Sequence, residues 1–322
     1  MSENIINDEQ NKKIVKINIP NNVNNSDIVI IQKWKGEENS KKYISKIQKG
    51  NSMFIGVLDS DLIKQGYGFL SLPNNEKYFG FFTDDLKSTR GIYEYPDKLV
   101  GDKIEREFFF GLFNEGKIYS HGVYLSIKED KNVKMLSNFD QSDFFCFIGN
   151  LDENHFIKGT HMTKNRGKYY VYHGTFNENN EKEGEGVFYY NSEKDELIYG
   201  KAVKNKFIEG YIAVFDEDGH ISEGMFVVFD NNGKIKNYKK EEIKEQKNIF
   251  DKMFDFRNQI MEDDYFGEIF ETFKATMNCI NNEVNFESLN SPKKYPELVN
   301  ATYNFNKIKI NDIIEKVLAK YH

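Results

Sequence analysis

Tyr172-His173-Gly174-Thr175-Phe176-Asn177, followed by Glu183-Gly184-Glu185-Gly186-Val187-Phe188-Tyr189-Tyr190, is the stretch whose reading decides the fold. Tyr172, Gly174 and Phe176 alternate with polar His173 and Thr175, and residues at i, i+2 and i+4 of a strand share one sheet face. A glycine on that face leaves room for a neighbouring aromatic ring to lie over bare backbone. The polar run from Asn177 to Glu183 predicts a turn, and Val187 to Tyr190 predicts the returning antiparallel strand.

The same phrase recurs along the chain. Phe54, Gly56 and Leu58 precede Gly66-Tyr67-Gly68-Phe69; Tyr78, Gly80 and Phe82 precede Gly91-Ile92-Tyr93; Phe109, Gly111 and Phe113 precede His121-Gly122-Val123-Tyr124. Poorer copies hold Phe147, Gly149 and Leu151 before Gly159, and Tyr199-Gly200 before Gly210-Tyr211-Ile212, with a partial copy at Glu223-Gly224-Met225-Phe226. The leading glycines stand at 56, 80, 111, 149, 174 and 200, and each is followed 10 to 12 residues later by its second glycine, at 68, 91, 122, 159, 186 and 210. That constant inner spacing marks a unit of about 24 residues, with insertions in the second and third copies. A single hairpin is marginal in water, so the units must stack into a continuous sheet.

The phrase Tyr172-x-Gly174-x-Phe176-Asn177, then Gly184-x-Gly186-x-Phe188-x-Tyr190, resembles the MORN repeat. The family usually has Trp or Phe where Leu58, Leu151 and Ala202 stand, and another glycine before the second glycine pair, which only Gly116 supplies clearly, so the array is degenerate. The resemblance covers 54–233. It implies a mainly β fold: an elongated, single-layer antiparallel sheet of stacked β-hairpin repeats, followed by a C-terminal α-helical segment. The expected organisation is a partly disordered N-terminal extension over 1–50, the repeat array over 51–238 and a helical tail over 239–322. Within the extension, Val15, Ile17 and Ile19 predict a lone edge strand, and Trp34 and Tyr43 begin a preceding divergent unit or a cap.

The tail changes period. Ile249, Met253, Phe256 and Ile260 are spaced as on one helix face. Phe266, Ile269, Phe270, Phe273, Met277 and Ile280 predict a second amphipathic stripe that Asp263-Asp264 can cap, Pro292 and Pro296 mark a loop, and a last short helix carries Ile313, Ile314, Val317 and Leu318. Such a tail can pack on the array or dock on a partner.

Charge and composition exclude several functions. The 322 residues carry a net charge of −7. Residues 54–233 hold 20 Lys and Arg against 30 Asp and Glu, a net of −10, so the array does not attract nucleic-acid phosphates at long range. No apolar run approaches the roughly 20 residues that span a bilayer, and the polar, acidic N-terminus has no signal-peptide character. Cys146 and Cys279 lie far apart and predict buried thiols in a reducing, cytoplasmic setting.

No catalytic, cofactor or metal constellation is expected. Asp216-Glu217-Asp218-Gly219 resembles the middle of a calcium loop, but Val214 and Met225 occupy the first and twelfth ligand positions; Asp230-Asn231-Asn232-Gly233 fails likewise at Val228 and Lys239. The six histidines, at 121, 155, 161, 173, 220 and 322, have no zinc-ligand spacing. The Gly-x-Gly phrases recur at hairpin spacing, not ahead of helices, so they are no dinucleotide fingerprint.

The MORN resemblance, in a chain whose Asn, Lys and Ile richness suggests a protist, implies a non-enzymatic scaffold of a ciliary axoneme (radial-spoke-like) or a cytoskeletal complex. Its partners would be proteins, chiefly helical segments in a large complex, and a homodimer is compatible with it. The alternative is a membrane-associated, phosphoinositide-binding tether. The partner-binding residues expected on the concave face are Tyr78, Phe82, Phe109, Phe113, Tyr172, Phe176 and Phe188.

Overall fold

The computed structural model describes residues 4–8, 12–16, 28–33, 43–49, 51–59, 61, 63–131, 142–153, 155–241 and 243–261. The strands are β1 (Asn4–Asp8), β2 (Lys12–Lys16), β3 (Ile28–Lys33), β4 (Tyr43–Lys49), β5 (Ser52–Leu58), β6 (Lys64–Ser71), β7 (Lys77–Thr83), β8 (Leu86–Glu94), β9 (Lys98–Val100), β10 (Lys103–Asn114), β11 (Lys117–Asp130), β12 (Asp143–Asp152), β13 (His155–Asn165), β14 (Lys168–Thr175), β15 (Gly184–Asn191), β16 (Glu196–Val203), β17 (Lys206–Phe215), β18 (Ile221–Phe229) and β19 (Ile235–Lys240). Among the described residues one helix, α1 (Lys247–Met261), follows. The fold is mainly β, an antiparallel sheet of successive hairpins with one C-terminal helix, as the repeat phrase predicts.

The chain divides into two compact units. The first holds the described parts of 1–98 and 106–118. The second holds 99–105 and the described parts of 119–261. The division falls where the repeat spacing lengthens: β8 pairs with β10, and β9 lies on the excursion between them. In the first unit the ladder runs β3-β4-β5-β6-β7-β8-β10. In the second it runs from β11 to β19 in sequence order.

The sheet begins before the first glycine phrase. β3 and β4 pair in full register with the repeats, Tyr43 opposite Leu58 and Ile47 opposite Phe54. They lack the glycine phrase, but ladder hydrogen bonds are made by the backbone and do not require it. The lone strand expected near Val15 is half of a hairpin, because β2 pairs with β1. The helical stripes expected beyond residue 261 lie outside the described residues.

Two kinds of turn close the hairpins. Asp84-Asp85, Glu115-Gly116, Arg166-Gly167 and Lys204-Asn205 all have positive φ at both central residues, the two-residue geometry that matches strand twist. The longer loops are organised by a side-chain oxygen. Oδ1 of Asp59, Asn177, Asp216 and Asp230 each accepts hydrogen bonds from the amides two and four residues ahead. This is why the Asp216 and Asp230 loops look like calcium loops: their leading carboxylate folds the turn.

Neighbouring hairpins are also stitched reciprocally. The Lys64 amide donates to Asp85 Oδ1 and the Asp85 amide to the Lys64 carbonyl; Tyr169 pairs in the same way with Ser192, and Lys182 with Asn205. The separations, 21 and 23 residues, approach the repeat length, so the stitch is a repeat-level device.

Glycines meet across strands in pairs: Gly56 with Gly68, Gly80 with Gly91, Gly149 with Gly159 and Gly200 with Gly210. A Cβ at Gly80 or Gly91 would enter the Tyr78 ring, and one at Gly68 the Phe54 ring. The aromatic residue two positions before the leading glycine therefore covers the bare backbone. Tyr78 Oη then donates to the Phe81 carbonyl at 3.1 Å, and Tyr172 Oη to the Thr175 carbonyl at 2.7 Å. Equivalent tyrosines in the two units make the same bond.

Candidate interaction faces

In the first unit, Phe54, Tyr78, Phe82, Phe109 and Phe113 form one row of edge-to-face contacts with centroids 5.1 to 5.4 Å apart. All five are buried. Alternation also buries the other side of these strands, through Ile55, Phe79, Ile92, Phe108 and Phe110.

In the second unit the registry defines two faces. Phe147, His161, Tyr172 and Tyr189 are successive cross-strand partners on one. Ile148, Thr160, His173, Phe188, Tyr199 and Tyr211 follow one another on the other. The second face carries α1. Phe256 stacks on Phe188 with centroids 4.4 Å apart, Phe250 meets Tyr211 edge-on at 6.1 Å, and Gly224 makes room for the Phe250 ring. Phe250, Met253, Phe256 and Ile260 are buried, so the predicted stripe is right except that Phe250, not Ile249, leads it.

Polar contacts fix the helix. Arg257 Nε donates to Asp195 Oδ1 at 3.0 Å and its Nη2 donates to Oδ2, while Tyr190 Oη donates to Oδ1 at 2.8 Å. Burial raises the Asp195 carboxyl, but hydrogen bonds from Arg257 and Tyr190 and the Arg257 charge outweigh it, leaving the group below its ordinary range. Lys252 Nζ donates to Tyr199 Oη at 3.3 Å and lies over the Tyr199 ring. Beneath the helix, Thr160 Oγ1 and His173 Nδ1 are 3.0 Å apart and buried.

The other face is less covered. Tyr124, Phe145, Phe156, Phe176, Tyr189, Phe207 and Phe229 are all half-buried. They are linked by ring contacts, Tyr124 to Phe145 and Phe156, Phe156 to Phe176, and Tyr189 through Phe207 to Phe229.

The seven residues expected as partner contacts therefore fall into three places. Tyr78, Phe82, Phe109 and Phe113 are buried in the first unit's row. Tyr172 and Phe176 belong to the half-covered face of the second unit, Tyr172 buried and Phe176 half-buried, with centroids 5.1 Å apart. Phe188 does not share their face: it pairs with His173, while its neighbour Tyr189 pairs with Tyr172. A one-residue shift reverses the side a strand residue faces, and the sequence phrase alone left that parity open.

Sequence reasoning missed the lysines. Lys182 Nζ lies 5.2 Å from the Tyr172 ring centroid and 5.0 Å from that of Tyr189, the residue opposite Tyr172. Lys87 Nζ lies 5.5 Å from Tyr78 and 3.9 Å from Tyr93, another opposed pair. Lys64 lies 5.7 Å from Phe54. The available signal was a lysine 9 or 10 residues after the leading aromatic, at 54 and 64, 78 and 87, 172 and 182. Burial lowers Lys182 to about 8. It also lowers the neighbouring His161 to about 3, helped by the Lys182 charge.

Other chemistry is sparse among the described residues. Asp216, Asp218 and His220 place ligand atoms within 4.8 Å of one another, but all three are exposed in a turn whose leading carboxylate already binds two amides. Cys146 is fully buried, which pushes its thiol up to about 12 and makes it inert at neutral pH. No described helix is long and apolar enough to cross a membrane.

Comparison with known proteins finds no family model and no curated protein that matches the chain.

Proposed function

We propose that this chain is a non-enzymatic scaffold that holds protein partners, resembling MORN-repeat proteins of ciliary axonemes or other cytoskeletal assemblies. The observation that carries the reading is the seat of α1. An amphipathic helix lies on the β14–β18 face through Phe250, Met253 and Phe256, so this kind of repeat sheet accepts helices. The opposite face of the same strands carries a half-buried aromatic row suited to a further segment. The acidic repeat block favours protein over anionic lipid as the partner.

The test is detergent extraction of cells bearing a tagged endogenous copy, followed by cross-linking of the insoluble fraction. Retention on axonemes or the cortical cytoskeleton, with cross-links from the repeat strands to a helical protein, is expected. Release into the soluble fraction rejects the cytoskeletal scaffold, and release with membranes favours the phosphoinositide tether.

A further inference from the structure

Several half-buried cations among the described residues meet a carboxylate. Lys77 bonds both oxygens of Glu94, Lys64 bonds Asp85, Arg106 faces Asp97 and Arg257 grips Asp195. Lys182 is different. Its ammonium sits between two tyrosine rings and has no ion-pair partner among the described residues, although Glu181 and Glu183 flank it in sequence. Those two carboxylates accept instead from Asn177 Nδ2, each at 2.9 Å. Ring faces recover part of a cation's lost hydration but offer no acceptor for its N–H groups.

The first unit shows what such a site can hold. Lys87 sits over the opposed pair Tyr78 and Tyr93 just as Lys182 sits over Tyr172 and Tyr189. There the nearby charge of Glu76 acts on both Lys87 and Tyr93. At the second site Glu183 acts on Tyr172 and Glu196 on Tyr189, but no carboxylate acts on the Lys182 ammonium in this way. Tyr172 Oη is committed to the Thr175 carbonyl, which leaves the Lys182 ammonium as the cation of the site. A single cation suits a singly charged carboxylate, and the −10 repeat block repels polyanions such as a phosphorylated headgroup.

We propose that the Lys182–Tyr172–Tyr189 site receives an Asp or Glu side chain of a protein partner, whose flanking apolar residues lie on Phe176, Tyr189 and Phe207. The inference rests on the interaction-scaffold reading and names its contact chemistry. The partner supplies to Lys182 what Glu76 supplies to Lys87, and the half-buried row supplies apolar area beside it.

The test uses the full chain and a displayed library of 16-residue peptides. Selected peptides are expected to carry an acid next to an aromatic or aliphatic residue. Their affinity should fall at least tenfold on Lys182→Met, which keeps the aliphatic stem over the rings. It should fall equally when the peptide's Glu is changed to Gln, a readout independent of the variant's folding. Selected peptides without an acid, or affinities untouched by both changes, overturn the carboxylate site while leaving the scaffold reading. Binding to vesicles containing phosphatidylinositol 4,5-bisphosphate that is lost in Lys182→Met overturns it in favour of a phosphate headgroup. Selection of no peptide overturns both readings.

Discussion

Phe256 of α1 lies flat on Phe188 of β15, with ring centroids 4.4 Å apart and planes 16° apart. Each ring is at most 1% exposed, so each is the other's cover. Truncating such a pair removes its contacts and leaves a cavity, at a cost of roughly 3–5 kcal/mol. Phe256→Ala is therefore expected to undock α1. Hydrogen exchange should show lost protection over 247–261 with the β14–β15 hairpin still protected. Unchanged protection of the helix would show that Arg257 and Met253 hold it without the stack.

The Arg257–Asp195 pair gives α1 a pH dependence. The carboxyl of Asp195 lies below its ordinary range in the folded chain, so the unfolded or undocked form takes up the proton first. The stabilisation is full above about pH 4 and is lost as pH falls through the folded-state value. Helix protection in the native chain should decline on acidification from pH 5 to pH 2. In Asp195→Asn it should start lower and stay flatter. Parallel titration curves would assign the acid response to other carboxylates.

Lys182 affects stability in the opposite pH range. Its ammonium is lowered from 10.5 to about 8 by burial, so the folded state releases its proton before the unfolded state does. The penalty is fully present below pH 8 and is relieved as pH rises from 8 towards 10.5. Replacing a buried, unpaired charge by an apolar isostere often stabilises. Lys182→Met should raise stability by about 1–2 kcal/mol at pH 7, with the gain shrinking above pH 8 in denaturant titrations. A pH-independent difference would locate the effect in packing.

Glycines of the repeat are not equivalent. A Cβ at Gly91 would enter the Tyr78 ring, which is buried and bonded to the Phe81 carbonyl, so the ring cannot yield. Gly91→Ala is expected to cost about 3 kcal/mol, at the upper end of overpacking. Gly167 has φ +78 and nothing within 4 Å of the added atom. Asn tolerates that conformation, so Gly167→Asn should change stability by less than about 1 kcal/mol. Thermal melts of the two variants side by side check the contrast.

The hairpin array was legible because its signal is local. Tyr172, Gly174 and Phe176 alternate within a few residues, and ring-over-glycine packing needs only the strand and its neighbour. The helix around Met253 and Phe256 was legible for the same reason. Three features were not. The face of Phe188 is not readable from the phrase, because the Gly184–Gly186 region breaks the pairing register and parity through an irregularity is a property of the ladder. The pairing of β8 with β10 across the β9 excursion is non-local. Lys182 escaped notice because a lysine in a polar turn looks solvated until the rings beside it are known.

The sequence by itself determined that this protein is built of aromatic–glycine hairpins followed by at least one amphipathic helix, because backbone alternation and helical period are written in neighbouring residues. The tertiary structure decided which face α1 covers and which stays half-open. It also decided that the ammonium of Lys182 lies between Tyr172 and Tyr189 with no ion-pair partner among the described residues. Those outcomes depend on register and on residues brought together across strands, where packing and desolvation, and not local propensity, set the result.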